Sequence, residues 1–536
     1  MIINDQGTAN LLQPLLCLRF VIAFVFLSHF TGNTKESQSI YERNEIENSS
    51  SHLLDIIIES ELISRNCQPA PLCSDYVFLR RAYLDLNARA PSISEISEFT
   101  QKSSAHKREN IIQELIRRPR FEHYQVLKLC DLLRVKSEFP IKLWPNAVQA
   151  YERWLYDAIH LGLSWQEMVR QLLTSSGSNF RQPAVNFYRA LSPRTPKSWA
   201  QAVALSFMGV RPESFTEKQW DNMAVFFSTI KSKSTLEWKE EIIYHDRDVL
   251  GDKSSPTQAY FPDGSSVMIP ADADPRVIFA EWLTADENPW LARAFVNRIW
   301  TSLLGSPIIP GVDDLREDNP PFSQELMDIL CQQFVTNKTN IKKLIHFICT
   351  SHTYQRSSRP AAGSPSFPGF SHYTVRRLEA EVLIDCVSQL TGMPQGYTSQ
   401  VPEPFTYIPA NLGAVRLNDG TITNPFLELF GRPPRDTGRY DERDNEPSKK
   451  QALFMLNSTK LNTALTKSKR LKKLIATKGK KDKQTLNKIY LSILSRPPLG
   501  NEIENYNSYR KKQGNKYALQ DIVWALINST EFSYKH

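Results

Sequence analysis

The sequence predicts a mainly α-helical protein, with two helical domains and a small β-hairpin insert between them. Three observations support this fold class. Apolar residues recur at spacings of three and four along most of the chain, which is the helical period. Ser or Thr followed three residues later by Glu or Gln opens several of these stretches, and Pro breaks others. The pair Asp263-Gly264 lies between short β-prone runs, which is a hairpin signal.

The N-terminus is apolar but short. Phe20 to Leu27 is a run of eight apolar residues, whereas a membrane span needs about 20. Such a run suits the core of an export signal, so we predict a signal peptide or N-terminal anchor over residues 1–33. A polar linker follows over 34–51. The interpretation implies a periplasmic or cell-envelope protein that touches membrane only through this segment; a buried N-terminal helix is the alternative.

The first domain is predicted over residues 52–230. Apolar residues from Phe78 to Leu86 repeat at helical spacing, and Ser92 with Glu95 forms a capping box for the next helix. Pro119 divides the segment HKRENIIQELIRRPRFEHYQVLKLCDLLRV into two helices. The same pattern continues to the end of the domain, which is therefore predicted to be helical throughout.

A linker with a β-hairpin is predicted over residues 231–272, and a second helical domain over 273–536. Asn288-Pro289 breaks the first stretch of this domain into two helices. Leu378 to Leu390 carries apolar residues in helical register. This second domain also holds the most densely charged part of the chain.

Composition limits the classes of function. The 536 residues suit two to four domains, and 41% hydrophobic residues exclude a wholly disordered chain. Nine Lys or Arg lie between Lys467 and Lys483 against one acidic residue, but no aromatic residues are interleaved for base stacking. We interpret this run as a solvated helix face and predict no nucleic-acid partner.

The cysteines exclude some cofactors. Neither Cys-x-x-Cys nor Cys-x-x-Cys-His occurs, so we predict no metal site of that type and no covalent haem. Cys67 and Cys73 bracket a loop stiffened by two prolines. A disulfide between them and a pair of small buried thiols are equally compatible with the sequence.

The stretch Gly431 to Asn457 is the strongest candidate site, because it packs both charge signs beside a Pro-Pro turn. Arginine forks bind carboxylate, sulfate or phosphate through paired hydrogen bonds. The predicted ligand-binding residues are Arg432, Arg435, Asp436, Arg439 and Arg443. The alternative is an internal arginine–carboxylate network that fixes the turn against the segment RRLEAE, residues 376–381.

Catalysis has weaker support. No GxSxG, HExxH or P-loop motif occurs. Glu442 and Glu446 are weak candidates for an acid and a base, since two carboxylates about 5 to 9 Å apart serve glycosidases. Calcium at Asp436, Asp441 and Asp444 would not fit the EF-hand pattern, so no cofactor is predicted.

Two family resemblances cover nearly all of residues 52–536. FLRRAYLDLNARAPS, RRPRFEHY, YERWLYDAIHLGLSWQEMVRQLLTSSG and AVNFYRA are similar to the domain of unknown function 1549. DPR, VNRIW, RRLEAE, FGRPPRDTG, SRPP and the closing NSTEF are similar to the domain of unknown function 1553. Members of these families abound in planctomycete-type bacteria. The resemblance implies export and a mostly helical body, and it supplies no activity.

The chain departs from the family pattern at its cysteines. Many relatives carry Cys-x-x-Cys-His after the helix that ends Met208-Gly209-Val210, whereas this chain continues with Arg211. Paired cysteines of the charged stretch are replaced here by Gly438 and Tyr440. A haem or metal role resting on those cysteines therefore does not carry over to this cysteine-poor branch.

We therefore predict an exported binding or scaffold component of an envelope-associated system that handles polysaccharides. Its expected partner is an anionic polysaccharide or an envelope protein. Two alternatives belong to other classes. One is a hydrolase using the carboxylates of the 436–446 stretch, and the other is an accessory to an electron-transfer cytochrome system without its own haem.

Overall fold

A computed structural model describes residues 40–43, 50–137, 143–246, 248, 256–361, 369–476 and 482–536. The predicted mainly α-helical fold is confirmed, because 57% of the chain is helical and the strands form only small sheets. The predicted export segment, residues 1–33, lies outside the described residues, as does most of the predicted linker. Within the described ranges, no helix is long and apolar enough to cross a membrane.

Residues 53–224 fold into ten α-helices within the described ranges, and one two-residue strand lies between the seventh and the eighth. The helices are α1 Leu53–Ser64, α2 Asp75–Asn87, α3 Ile93–Gln101, α4 Lys107–Ile116, α5 Pro119–Leu132, α6 Pro145–Leu161, α7 Trp165–Thr174, α8 Asn186–Arg189, α9 Pro196–Val203 and α10 Glu217–Ala224. Pro119 is the first residue of α5, as the sequence predicts, since a proline at that position loses no helical hydrogen bond. Ser92 and Glu95 form the reciprocal cap that begins α3.

Small antiparallel sheets follow. β1 Gly177–Ser178, β2 Ile230–Ser234 and β3 Glu241–His245 form a sheet in the order β1-β3-β2. β4 Thr257–Tyr260 and β5 Ser266–Ile269 form the hairpin predicted from Asp263-Gly264. The β2–β3 pair was not predicted, because the lysine-rich strand β2 is exposed and lacks apolar alternation.

The rest of the described chain is helical again apart from one short strand pair, β6 Arg376–Arg377 with β7 Tyr534–Lys535. Its helices are α11 Pro275–Leu283, α12 Pro289–Leu304, α13 Gln324–Thr336, α14 Ile341–Thr350, α15 His352–Gln355, α16 Ala380–Thr391, α17 Pro425–Leu429, α18 Lys449–Asn457, α19 Thr459–Lys467, α20 Lys469–Ile475, α21 Asp482–Leu494, α22 Gly500–Gln513, α23 Asn515–Ile527 and α24 Thr530–Ser533. Asn288 caps α12 immediately before Pro289, at the predicted break.

The buried apolar residues form two clusters, and α5 contributes to both. The larger cluster runs from Ile40 to Tyr373 with Leu499, so it combines α1 to α14. The smaller cluster joins residues 378–532 to a few side chains of α2 and α5, among them Tyr124 and Leu127. Helix α5 therefore lies where the two cores meet, and this position brings its polar side chains close to the C-terminal half.

A buried carboxylate also links the two ends of the described chain. Asp85 on α2 accepts hydrogen bonds from Tyr354 at 2.9 Å, Tyr373 at 3.1 Å and Arg376 at 3.1 Å, and from Lys535 of β7 at 2.8 Å. Its side chain is fully buried. Because every one of these donors is a long-range neighbour, this cluster fixes the C-terminal strand against the N-terminal half.

Cys67 and Cys73 are both buried, and no disulfide joins them in the structure. The lysine-rich run between Lys467 and Lys483 falls partly outside the described residues; its described cations, on α19 and α20, are exposed.

Candidate functional site

The charged stretch folds as a compact turn over residues 431–445, and two glycines make it possible. Gly431 has φ +79°, and a Cβ there would lie 1.6 Å from the backbone oxygen of Asp444. Gly438 has φ +73°, and a Cβ there would lie 2.5 Å from the backbone oxygen of Leu132 on α5. Any side chain at either position would collide with backbone, so the glycines let the turn close on itself and on α5.

Arg432 and Arg435 are buried inside this turn and bind the protein itself. Arg432 donates to backbone oxygens, including that of Asp419 at 3.1 Å, and its Nε lies 3.3 Å from Glu381. Arg435 donates to Asp131 at 2.8 Å and to the backbone oxygen of Asn418 at 2.8 Å. Burial lowers the pKa of Arg432 to about 10. Both side chains hold the turn together, and neither lines the cavity described below.

Arg443 joins the turn to both halves of the chain. Its guanidinium donates to Asp131 on α5 at 2.6 Å and to Glu381 on α16 at 2.7 Å. Burial works against the charge, but these two carboxylates raise the pKa of Arg443 well above its ordinary value. The predicted internal network against RRLEAE is thus present around Arg432 and Arg443.

The remaining predicted ligand-binding residues, Asp436 and Arg439, lie nearer the surface. Asp436 forms an ion pair with Lys136 at 2.5 Å. Arg439 is half-buried and donates to Asp441 through two bonds, at 3.0 and 2.8 Å. Only Arg439 and Arg443, of the five predicted ligand-binding residues, also line the cavity described below.

The two candidate catalytic carboxylates have different surroundings. Glu442 accepts hydrogen bonds from the backbone N–H groups of residues 436, 437 and 438, the shortest at 2.7 Å from Asp436. Glu446 is exposed. The three N–H groups hold the Glu442 carboxylate inside the turn, so this side chain stabilises the turn.

A cavity of about 110 Å³ lies between this turn, α5 and α12. Charged side chains from all sides line it: Lys128, Asp131, Arg298, Glu379, Arg439 and Arg443. Apolar groups, among them Leu129, Phe295 and Ile299, form the rest of its wall. The volume suits several water molecules or one small ionised group, and it is too small for a whole sugar chain.

Lys128 is the distinctive side chain of the cavity. It has no ion pair or hydrogen bond to any described residue, and its Nζ lies 4.3 Å from the ring centroid of Tyr124. Burial lowers the pKa of Lys128 to about 8, although the charge of Glu379 works in the opposite direction. The ammonium group therefore lies over a ring face at the wall of the cavity.

Glu379 is the counter-charge on the opposite wall. Tyr124 donates to it at 3.0 Å. Burial favours the neutral acid, but the charges of Lys128, Arg443 and Lys535 outweigh burial and lower the pKa of Glu379 to about 2. Glu379 is thus an anion near neutral pH, and it does not serve as a proton donor there.

Two more lining groups are unsatisfied. Arg298 Nε and Asn445 Oδ1 are buried and have no hydrogen-bond partner among the described residues. Together with Lys128 they offer donors for an anion and one acceptor for a hydroxyl group. A ligand that carries both groups would give a partner to Lys128, Arg298 and Asn445.

The side chains that could bind a metal ion do not cluster in the described residues. No group of three or more His, Cys, Asp and Glu is placed to hold a metal ion there. Asp436 and Asp441, two of the three residues considered for calcium, are already paired with Lys136 and Arg439.

Sequence reasoning found the turn but missed the cavity. Lys128 interrupts the apolar helix pattern of VLKLCDLL, and Tyr124, Lys128 and Asp131 follow one another at i, i+4 and i+7 on α5. A polar stripe at helical spacing within an otherwise buried helix was the available signal. What faces that stripe comes from residues 298 and 379–445, which no local pattern reveals.

Two family models match the chain. PSCyt2, protein of unknown function (DUF1549), matches residues 53–229, and PSD1, protein of unknown function (DUF1553), matches residues 275–510. No curated protein and no solved structure matches. The cavity takes Lys128 and Asp131 from the first matched range, and Arg298, Glu379 and Arg443 from the second.

Proposed function

We propose that this chain, which belongs to both the DUF1549 and the DUF1553 families, is an exported protein that binds acidic polysaccharide. One ionised group of the polymer, a uronate carboxylate or a sulfate, enters the cavity at the junction of the two matched regions. Lys128 carries this proposal, because it lines the cavity and forms no direct ion pair or hydrogen bond with a described residue.

The remaining groups of the cavity fit the same ligand. Arg298 Nε supplies a second donor for the anion, and Asn445 Oδ1 accepts a hydroxyl proton of the same sugar ring. The cavity admits only a group of this size, so the polymer would lie outside it and present one substituent. The half-buried Arg439 lines the cavity as well, beside the exposed end of the turn.

Export rests on the sequence alone. The run Phe20 to Leu27 and the family resemblance both favour an exported protein that acts in the periplasm or cell envelope. Fractionation of the native cell with N-terminal sequencing tests this part separately. Recovery from the cytosol with an intact N-terminus would contradict it.

The binding proposal is tested by calorimetric titration with sulfated and uronate oligosaccharides and with a neutral oligosaccharide. We expect an acidic oligosaccharide to bind and the neutral one to fail. Lys128→Met keeps the length of the side chain and removes its charge, so it should abolish binding while circular dichroism stays unchanged. Equal binding of the neutral sugar, or of the variant, would overturn the proposal.

No observation favours the hydrolase or the cytochrome accessory to the same degree. Glu442 is engaged by backbone N–H groups and Glu446 is exposed, so the 436–446 acids do not form an evident acid–base pair. Both alternatives remain predictions from the sequence.

A further inference from the structure

Two loops that do not line the cavity present apolar side chains to solvent. Leu236 and Trp238 belong to the connection between β2 and β3, and their exposed fractions are 108% and 60%. Phe405 and Tyr407 belong to the loop after Val401, with exposed fractions of 40% and 72%. Single exposed apolar residues are ordinary, whereas a grouped set marks a surface that binds something.

Ring contacts join these loops into one tip. The ring centroids of Trp144 and Trp238 are 4.8 Å apart, those of Trp144 and Phe405 are 5.2 Å apart, and those of Trp238 and Phe405 are 5.3 Å apart. Trp144 precedes α6, so three distant segments meet at this point. The tip, defined as Trp144, Leu236, Trp238, Phe405 and Tyr407, is therefore preorganised by its own packing.

Cations surround the tip. Lys239 Nζ lies 4.9 Å from the Trp144 ring centroid, and Lys231 and Lys233 are exposed on β2. None of the three lysines forms an ion pair with a described residue. The neighbouring acids are Glu237, 3.7 Å from Arg181, the exposed Glu403, and Glu240, which accepts hydrogen bonds from Ser178 and Thr235. Four cations against three carboxylates leave this surface positive.

We propose that the tip inserts into the interface of an anionic lipid bilayer. Leu236 favours a bilayer as the occupant, because a wholly exposed aliphatic side chain gains the most free energy where hydrocarbon surrounds it on all sides. Trp and Tyr favour the headgroup level, where the ring is apolar and the polar atom stays wet. The three lysines then face the negative surface of the membrane. This contact is peripheral and is separate from the N-terminal apolar segment.

Vesicle flotation of the full chain tests this inference, with phosphatidylcholine vesicles with and without phosphatidylglycerol. We expect binding that is stronger with phosphatidylglycerol and weakens as salt rises. The double variant Leu236→Ser with Trp238→Ser should lose binding about tenfold or more. The matched control is Ile63→Ser with Leu161→Ser, two side chains that are equally exposed elsewhere, at 75% and 81%.

A second readout separates the tip from the N-terminal segment, which could hold the chain on vesicles by itself. Brominated lipid quenches tryptophan emission only where a ring enters the bilayer. We expect quenching in the wild type and clearly less of it in Trp238→Phe, in which Trp144 is the remaining tryptophan of the tip. Binding without any quenching that depends on Trp238, or flotation unaffected by the tip variant, would overturn the inference and direct the search to a protein partner.

Discussion

Arg443 lies 2.6 Å from Asp131, a carboxylate 312 residues earlier in the chain, and this contact joins the two matched family regions. The same guanidinium reaches Glu381, whose side chain is fully buried. The ion pair forms one wall of the cavity that holds Lys128. Stability and the candidate site therefore depend on the same side chain.

Replacing Arg443 should strongly lower the free energy of unfolding. Arg443→Met leaves two largely buried carboxylates without their shared cation, and breaking a buried pair costs about 3–5 kcal/mol of the free energy of unfolding. Urea denaturation measures this loss. The control is Arg439→Met, because the half-exposed Arg439–Asp441 pair is worth less than about 1 kcal/mol. Equal losses in both variants would show that the Arg443 network is not structural.

Gly438 should tolerate no side chain. Gly438→Ala adds a Cβ 2.5 Å from the backbone oxygen of Leu132 in addition to an unfavourable positive φ. The control Gly264→Ala has a similar φ of +84° with open space around it, so it reports the backbone cost alone, about 1–2 kcal/mol. The alanine at 438 should destabilise clearly more than the alanine at 264 in thermal unfolding. A loss no larger than at 264 would mean that the turn moves away from α5 freely.

Substitutions at Glu442 and at Glu446 should have different effects on the stability of the protein. Glu442→Gln removes the charge that three backbone N–H groups bind, and we expect a loss of about 1–3 kcal/mol. Glu446→Gln changes an exposed side chain and should leave the unfolding midpoint unchanged within error. A stable Glu442 variant that has lost a hydrolytic activity would instead revive the catalytic interpretation.

The affinity for an acidic sugar should fall as the pH rises past about 8. Lys128 has a pKa of about 8 in the free protein because burial disfavours its charge, so it loses its proton above that pH. A bound anion stabilises the ammonium form, which shifts the decline toward higher pH in the complex. Titrations across this range test the direction. Any residual affinity of Lys128→Met should not change with pH in this range. If the affinity of this variant declined as it does in the wild type, Lys128 would not be the group responsible.

The same group predicts a pH effect on stability. A lysine in the unfolded chain has a pKa of about 10.4, so between about 8 and that value the unfolded chain binds more protons than the folded protein at this position. The contribution of Lys128 to the free energy of unfolding therefore rises with pH across this window. The difference between wild type and Lys128→Met in urea denaturation should change accordingly, and a constant difference would refute the lowered pKa.

The sequence predicts those features that depend on residues only a few positions apart. Pro119, Asn288 and the Ser92–Glu95 box marked real helix ends, and Asp263-Gly264 marked a real hairpin, since caps, prolines and turn residues act within a few positions. The arginine-rich turn was also located. Because its acids and arginines are interleaved, the turn also suggests an internal arginine–carboxylate network as the alternative to a ligand site.

The cavity was beyond such reasoning. Lys128 is informative only when its neighbours are known, and they include Arg298 and Glu379, which are more than 150 residues away. The aromatic tip has the same origin, since Trp144, Trp238 and Phe405 come from three separate loops. Long-range packing decides which charges remain without partners, and periodicity does not report it.

The most direct measurement of the central claim is a crystal structure of the protein with an acidic oligosaccharide whose anionic group carries an anomalous scatterer, such as selenate. We expect an anomalous peak in the cavity within hydrogen-bond distance of Lys128 Nζ and Arg298 Nε, with a sugar hydroxyl on Asn445. The peak should be absent in Lys128→Met crystals. Anions seen only on surface lysines, with water alone in the cavity, would contradict the account.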